Sequence, residues 1–255
     1  MRAWMVAGAI GIALAGSAVG LAQMALDPNS AWSVAWHERL NRDWPFLGRY
    51  QQANAALVPT PGQPRIVFMG DSITEGWVEK GADFFVPGRI GRGIGGQTTP
   101  QMLVRFRQDV IALKPDVVQI MAGTNDIAAN TGPMTPEQTQ GNIRSMVELA
   151  QANGIRVILA SIPPADQFPW KPGVAPADRI VAMNIWLRGY AARSGCIYAD
   201  YWTALKAPDG LGMRDGFASD HVHPTTAGYA AMAPVAERAI KAALALPTPP
   251  RLASE

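Results

Sequence analysis

The sequence predicts an α/β fold in which helices cover both faces of a parallel sheet. Short apolar runs rich in β-branched residues recur at 65–69, 89–94, 116–122, 155–161 and 195–200, as buried parallel strands require. Amphipathic stretches of helical length stand between or after them, at 99–112, 136–152, 177–193 and 226–244. Strands alternating with helices of that length close a parallel sheet through crossovers. The 255 residues suit one such domain with a substantial core.

The N-terminal segment begins Met1-Arg2 and continues as an almost unbroken apolar run, its first acidic residue being Asp27. One positive charge, an apolar centre and small residues before Ala22 fit an export signal over 1–22, with Gly20-Leu21-Ala22 at the cleavage site. The rival is an uncleaved anchor, since Ala3 to Leu26 could span a bilayer; its Ala and Gly content weighs against that. Export to the periplasm or medium is therefore expected, with membrane contact only if the segment is retained. Residues 23–64 form an extension. Trp32, Trp36, Trp44, Phe46 and Tyr50 precede Pro59, Pro61 and Pro64, which suggests one or two short helices packed on the main domain and a stiff connector.

The main domain is expected over 65–245. Its first strand ends in Gly70-Asp71-Ser72, a strand-to-helix turn with Asp71 or Ser72 as cap. Thr99-Pro100 and Thr135-Pro136-Glu137-Gln138 mark two helix starts, the second with a capping-box glutamine. Ile143, Met146, Val147 and Ala150 form the apolar stripe of the helix that follows. Asn153-Gly154 ends it. Residues 246–255, rich in proline at the start, are expected to be disordered.

Composition narrows the function. Charged residues are 16% of the chain and the net charge is +2, without a Lys/Arg block, so no nucleic-acid footprint is present. A lone cysteine, Cys196, excludes an internal disulfide and a multi-cysteine zinc site. Its apolar surroundings mark a buried structural thiol. Any imidazole chemistry must use His37, His221 or His223, and His37 reads as a surface residue.

Four segments could carry chemistry. Ser72 follows a strand end, where open α/β sheets bind ligands, but its hydroxyl needs a base to become a nucleophile. Gly91-Arg92-Gly93-Ile94-Gly95-Gly96 fits a dinucleotide-binding glycine pattern by spacing. No acidic residue stands at a strand end about 20 residues on, as that use requires; an oxyanion donor from Gly96 suits a serine nucleophile better. Asn125 lies in Gly123-Thr124-Asn125-Asp126, on the same rim, and its amide can donate to developing negative charge. In Ser219-Asp220-His221-Val222-His223-Pro224 an acid precedes a histidine by three residues. A carboxylate on one ring nitrogen fixes the tautomer, so the other can accept a serine proton. His223 is preferred to His221 because it abuts Pro224-Thr225 at a helix start. Asp220, His221 and His223 could begin a metal site, but no further histidine or cysteine cluster completes it.

Taken in order, these blocks resemble the GDSL-type, or SGNH, hydrolase superfamily. The resemblance rests on Gly70-Asp71-Ser72-Ile73, Gly95-Gly96-Gln97-Thr98-Thr99, Gly123-Thr124-Asn125-Asp126 and Asp220-His221-Val222-His223-Pro224, and spans about residues 65–240. Ile73 stands where the family name has leucine, a change of apolar shape only. The resemblance implies a three-layer α/β/α sandwich, flavodoxin-like, with about five parallel strands. It implies Ser72 as nucleophile, His223 as general base and acid, and Asp220 as its orienter. The oxyanion hole would be the N–H groups of Ser72 and Gly96 with the Asn125 side chain, and Asp71 a structural hydrogen-bonder of the turn. No metal or organic cofactor is implied. The reaction would be two-step ester hydrolysis, first on short-acyl esters such as acetyl groups on carbohydrates, next on lysophospholipids or aryl esters.

Residues 162–178 leave a strand toward the same rim, and Phe168 and Trp170 there are candidates for a pocket wall, with packing against residues 32–50 the alternative for Trp170. An α/β-hydrolase shares the order Ser, Asp, His, yet its elbow needs glycine two residues after the nucleophile, where this chain has Thr74. A non-catalytic polysaccharide-binding protein on the same fold is the alternative of another class. Nothing in the chain signals a protein partner or an oligomeric state.

Overall fold

The computed structural model describes residues 29–251; the expected signal segment lies outside them. Two helices come first, α1 (Ala31–Arg42) and α2 (Gln51–Ala55). The Ser30 hydroxyl caps α1 by accepting from Ser33 N–H (3.1 Å), as an N-cap serine does. Strand β1 (Ile66–Gly70) leads into α3 (Ser72–Lys80), and β2 (Arg89–Gly93) into α4 (Thr99–Asp109). Then follow β3 (Val117–Met121), α5 (Thr124–Ile127), α6 (Pro136–Ala152), β4 (Arg156–Ala160), α7 (Ala177–Arg193), β5 (Ile197–Ala199), α8 (Tyr201–Leu205) and α9 (Thr226–Ala245). Among the described residues no helix is long and apolar enough to cross a membrane.

The five strands are all parallel in the order β2-β1-β3-β4-β5. Every residue of β1 and β3 is buried, which explains why these strands read as continuous apolar runs rather than alternating ones. One face carries α4, α6 and α7, the other α3, α8 and α9, giving the three-layer α/β/α sandwich. The chain goes from β1 out to edge strand β2, then returns past β1 to β3. That reversal opens a crevice beyond the carboxyl ends of the strands, and the loops after β1, β2 and β3 all meet there.

Local chemistry sets the element ends. Thr135 and Gln138 form the capping box of α6, with Gln138 Oε1 accepting from Thr135 N–H (2.8 Å) and Thr135 Oγ1 from Gln138 N–H (3.3 Å). At α4 the cap is Thr98, one residue before the expected Thr99. The Thr99 N–H and hydroxyl are instead taken by Asp126. Helix α3 was legible only as a turn, because Gly76 interrupts its helix-forming pattern. A Cβ there would stand 2.8 Å from the Tyr229 hydroxyl of α9, so close helix packing demands the glycine. Gly93 plays the same part in β2: a Cβ would meet the Glu75 nitrogen at 2.2 Å. The short α8 was not anticipated.

The extension does pack on the main domain. Its Trp44 and Leu47 carbonyls accept from Gln101 and Gln108 of α4, each at 2.7 Å. Of the tail expected to be disordered, residues 246–251 are among those described. Residues 246–251 are not loose: Arg156 Nε donates to Leu246 O (2.8 Å) and Arg156 Nη2 to Thr248 Oγ1 (2.7 Å), while Arg251 lies against Gly154. An arginine at the start of β4 thus ties the segment down.

Candidate active site

Ser72 is the first residue of α3, at the positive end of the helix dipole. Asp71 caps that helix: Oδ1 accepts from Ile73 N–H at 3.0 Å, and Oδ2 lies 3.4 Å from Asn125 Nδ2. The Asp71 side chain is fully buried, and burial pushes its carboxyl up to about 6 against the opposing Ile73 hydrogen bond.

The loop before α9 brings His223 to the same point. Its Nε2 is 2.9 Å from Ser72 Oγ, and its Nδ1 is 2.7 Å from Asp220 Oδ2. Asp220 Oδ1 also accepts from the N–H groups of Val222 (3.2 Å) and His223 (2.8 Å), so the acid folds the loop that presents the imidazole. Burial works against the Asp220 charge, but the His223 ring and these two N–H groups outweigh it and hold the carboxyl at about 2. An ionised carboxylate on Nδ1 requires a proton there, which leaves the Nε2 lone pair facing the serine hydroxyl. His221 turns elsewhere. Its backbone has φ of 71°, and its ring meets Asp166 Oδ1 at 3.1 Å.

The glycine block forms a turn beside the serine. Gln97 N–H donates to Ile94 O (3.3 Å), and Gly96 sits at φ 74°; a side chain there would also strike Trp36 of α1 at 2.7 Å. Asn125 Nδ2 donates to Gln97 O at 3.0 Å, so this amide holds the turn. Asn130 Nδ2 donates to Asn125 Oδ1 (2.9 Å) and to Gly96 O (3.2 Å), and Trp170 Nε1 donates to Asn130 Oδ1 (3.0 Å). Beneath them runs a buried chain of donors. Gln97 Nε2 donates to Pro45 O (2.9 Å), Arg105 Nε to Gln97 Oε1 (2.6 Å), and Arg105 Nη2 to Gly70 O (3.0 Å). Arg105 also pairs with Asp109 at 3.1 Å, both side chains being wholly buried.

Of the two aromatic candidates, Trp170 stands with its ring centroid 6.0 Å from that of His223. Phe168 is 1% exposed and stacks behind Trp170 at 5.1 Å. It belongs to the core and is no pocket wall, because the proline-rich loop turns it inward. Beside the Asp220–His221 edge opens a groove of about 600 Å³, whose lining includes Asp166, Pro169, Arg214 and Asp215. Cys196 is buried and burial raises its thiol. Sequence reasoning missed Glu75, Gln97, Arg105 and Asn130. Polar residues four apart, Gln97 in the turn before α4 and Gln101, Arg105 and Asp109 within it, were the available signal, since they occupy the face that a bare periodicity would assign to solvent.

A sheet of this order with serine, histidine and aspartate in a hydrogen-bonded row defines a serine hydrolase of the α/β/α class. Residues 68–231 match the model of the GDSL-like lipase/acylhydrolase family. The crystal structure of a GDSL-like lipase from Bacteroides thetaiotaomicron is 44% identical, with a TM-score of 0.76, covering 79% of this chain and 100% of that one. Esterase TesA of Pseudomonas aeruginosa is 29% identical over 189 residues, 69% of this chain and 84% of that protein. An acetylxylan esterase from Geobacillus stearothermophilus is 27% identical over 154 residues, 56% and 68% of the two chains. The chain belongs to the GDSL-like lipase/acylhydrolase family, and it is a carboxylic ester hydrolase.

Proposed function

We propose that the protein hydrolyses short-acyl esters, foremost acetyl groups carried on carbohydrates, through an acyl-enzyme on Ser72. The observation that carries this reading is the unbroken row Asp220–His223–Ser72, at 2.7 and 2.9 Å. In the first step Ser72 Oγ attacks the acyl carbonyl while His223 Nε2 takes its proton. The C–O bond to the alcohol then breaks, and the same nitrogen returns the proton to the leaving oxygen. Water, deprotonated by His223, attacks the acyl-enzyme and releases the acid with free Ser72. The negative charge on the carbonyl oxygen is met by the N–H groups of Ser72 and Gly96 and by Asn125 Nδ2, whose long contact to Asp71 (3.4 Å) gives way to the stronger charge-assisted bond.

Support for a carbohydrate leaving group comes from the His223 side, where the departing alcohol must lie. Trp170 offers an aromatic platform there, and the adjoining groove is lined by Asp166, Asp215 and Arg214, groups that bond hydroxyls rather than acyl chains. The Geobacillus relative named for acetylxylan is in keeping with this. Export from the cytoplasm is part of this proposal, supported by the apolar run that follows Met1-Arg2 in the sequence. The test is hydrolysis of p-nitrophenyl acetate by wild type and Ser72→Ala, followed by a panel of acyl lengths and acetylated xylo-oligosaccharides. Loss in the variant and preference for acetyl support the reading; an undiminished Ser72→Ala rejects it.

A further inference from the structure

A four-residue turn such as the one that carries Gly96 can in general take two forms, and only one of them suits an oxyanion. Between Ile94 and Gln97, φ is positive at Gly96 alone, the third position of the turn, which makes it type II. Types I and II differ by a flip of the central peptide, here Gly95 C=O to Gly96 N–H. The direction of the proposed donor is therefore the coordinate along which the two turns interconvert.

Both peptides flanking that central one are held by side chains. Glu75 Oε2 accepts from Gly95 N–H at 2.7 Å on one side, and Asn130 Nδ2 donates to Gly96 O at 3.2 Å on the other. Glu75 lies three residues after Ser72 in α3, so both side chains project from one face of the helix. A Cβ at Gly95 would stand 3.1 Å from Glu75 Oε2 and 3.8 Å from Ser72 Cβ, so the carboxylate, the turn and the nucleophile are in contact. Arg49 of the extension pairs with the other oxygen, Oε1, at 2.9 Å.

We propose that Glu75 is a positioning residue of the oxyanion hole. Acting through Gly95, it holds the turn in the form that aims Gly96 N–H at the acyl carbonyl on Ser72. This inference rests on the reading of Ser72 and Gly96 given above. It differs from a simple charge effect of an acidic residue in the first turn of α3, because what it requires is an acceptor and not a charge.

The experiment uses the full chain with p-nitrophenyl acetate as substrate and phenylboronic acid as probe. The boronate becomes a tetrahedral anion on the serine and so reads the hole directly. Glu75→Ala should lower kcat by about 10- to 100-fold, a fraction of what losing a whole oxyanion donor costs. KM should stay within about twofold, as for an interaction made only in the transition state. Boronate binding should weaken by the same factor as kcat, and the thermal midpoint should stay close to that of wild type. Glu75→Gln keeps an acceptor of the same shape and should retain kcat and boronate affinity within about threefold. Arg49→Ala should do the same, since an exposed ion pair contributes little. The inference is overturned if Glu75→Ala keeps wild-type kcat and boronate affinity while Ser72→Ala is inactive, or if Glu75→Gln falls as far as Glu75→Ala. Should Ser72→Ala itself remain fully active, the parent reading fails and this one with it.

Discussion

Around Ser72 most of the groups that steer the loops are buried, Glu75 and Asn130 being only partly so. Asp71, Gln97, Arg105, Asn125 and Asp126 are each at most 2% exposed, and they bond one another or the main chain across three different strand ends. The other half of the site is built differently. Asp220 and His223 are about one quarter exposed as side chains, and what holds them is local: Ser219 N–H to His223 O (3.0 Å) and Thr225 N–H to Phe217 O (2.9 Å), with Asp220 bonding the N–H groups just after it. The contrast matches the work proposed for each half. A hole for developing charge acts through dipoles that must not reorganise, which favours a dry and rigid setting. A proton carrier must meet serine, leaving alcohol and water in turn, and a short loop with an anionic orienter is enough for that.

If that division is right, damage to the buried half should cost stability as well as rate, and damage to the loop should cost rate alone. His223→Ala leaves Ser72 without a base and should lower kcat by on the order of 10⁵- to 10⁶-fold, as with other members of a serine–histidine pair, with little change in thermal midpoint. Arg105→Met breaks a buried ion pair and two further hydrogen bonds. It should destabilise the fold by about 3–5 kcal/mol, the cost of leaving a buried charge unpaired, measured by urea unfolding. Asn125→Ala removes both a donor and the tie to Gln97; a loss of about 100- to 1,000-fold in kcat is expected, with a visible loss of stability that His223→Ala does not share.

Asp71 sharpens the comparison through pH. Its carboxyl holds a proton to about 6 when folded and to about 4 when unfolded. Between those values the folded chain binds more protons, so stability falls as pH rises through this window and stays lower above it. Asp71→Asn keeps the Ile73 contact and removes that slope. The stability of wild type relative to the variant should therefore improve by on the order of 2 kcal/mol between pH 7 and pH 4. A parallel pair of curves would show that Asp71 is not buried as a carboxylate. The smallest effect is expected of His221→Ala, under about threefold in kcat, because its ring pairs with Asp166 near the surface and exposed pairs contribute little. A collapse equal to that of His223→Ala would exchange the two roles.

The same contrast governs what could be read in the sequence. The local half was legible: Asp220 and His223 are three residues apart, and an aspartate bonding the backbone just after it needs no tertiary context. The strands and the long helices were legible too, from Ile66–Met69 to the cap at Thr135, because burial on both faces leaves unbroken apolar runs. The buried polar half was not. Arg105 and Gln97 reach Gly70 and Pro45 only through the fold, and nothing local marks Glu75 as the partner of Gly95. Phe168 was misplaced for the same reason, since an aromatic in a proline-rich loop does not announce which way the loop turns. The tail beyond Leu246 looked free because its partner, Arg156, lies 90 residues upstream.

The central claim is that one hydroxyl carries the acyl group. Wild-type protein mixed with p-nitrophenyl acetate and quenched in acid within the first turnover should yield, on peptide mass analysis, a single acetyl group on the peptide containing Ser72, and none in Ser72→Ala. An acetyl group on any other residue at comparable rate, or turnover with Ser72 never modified, would contradict the account.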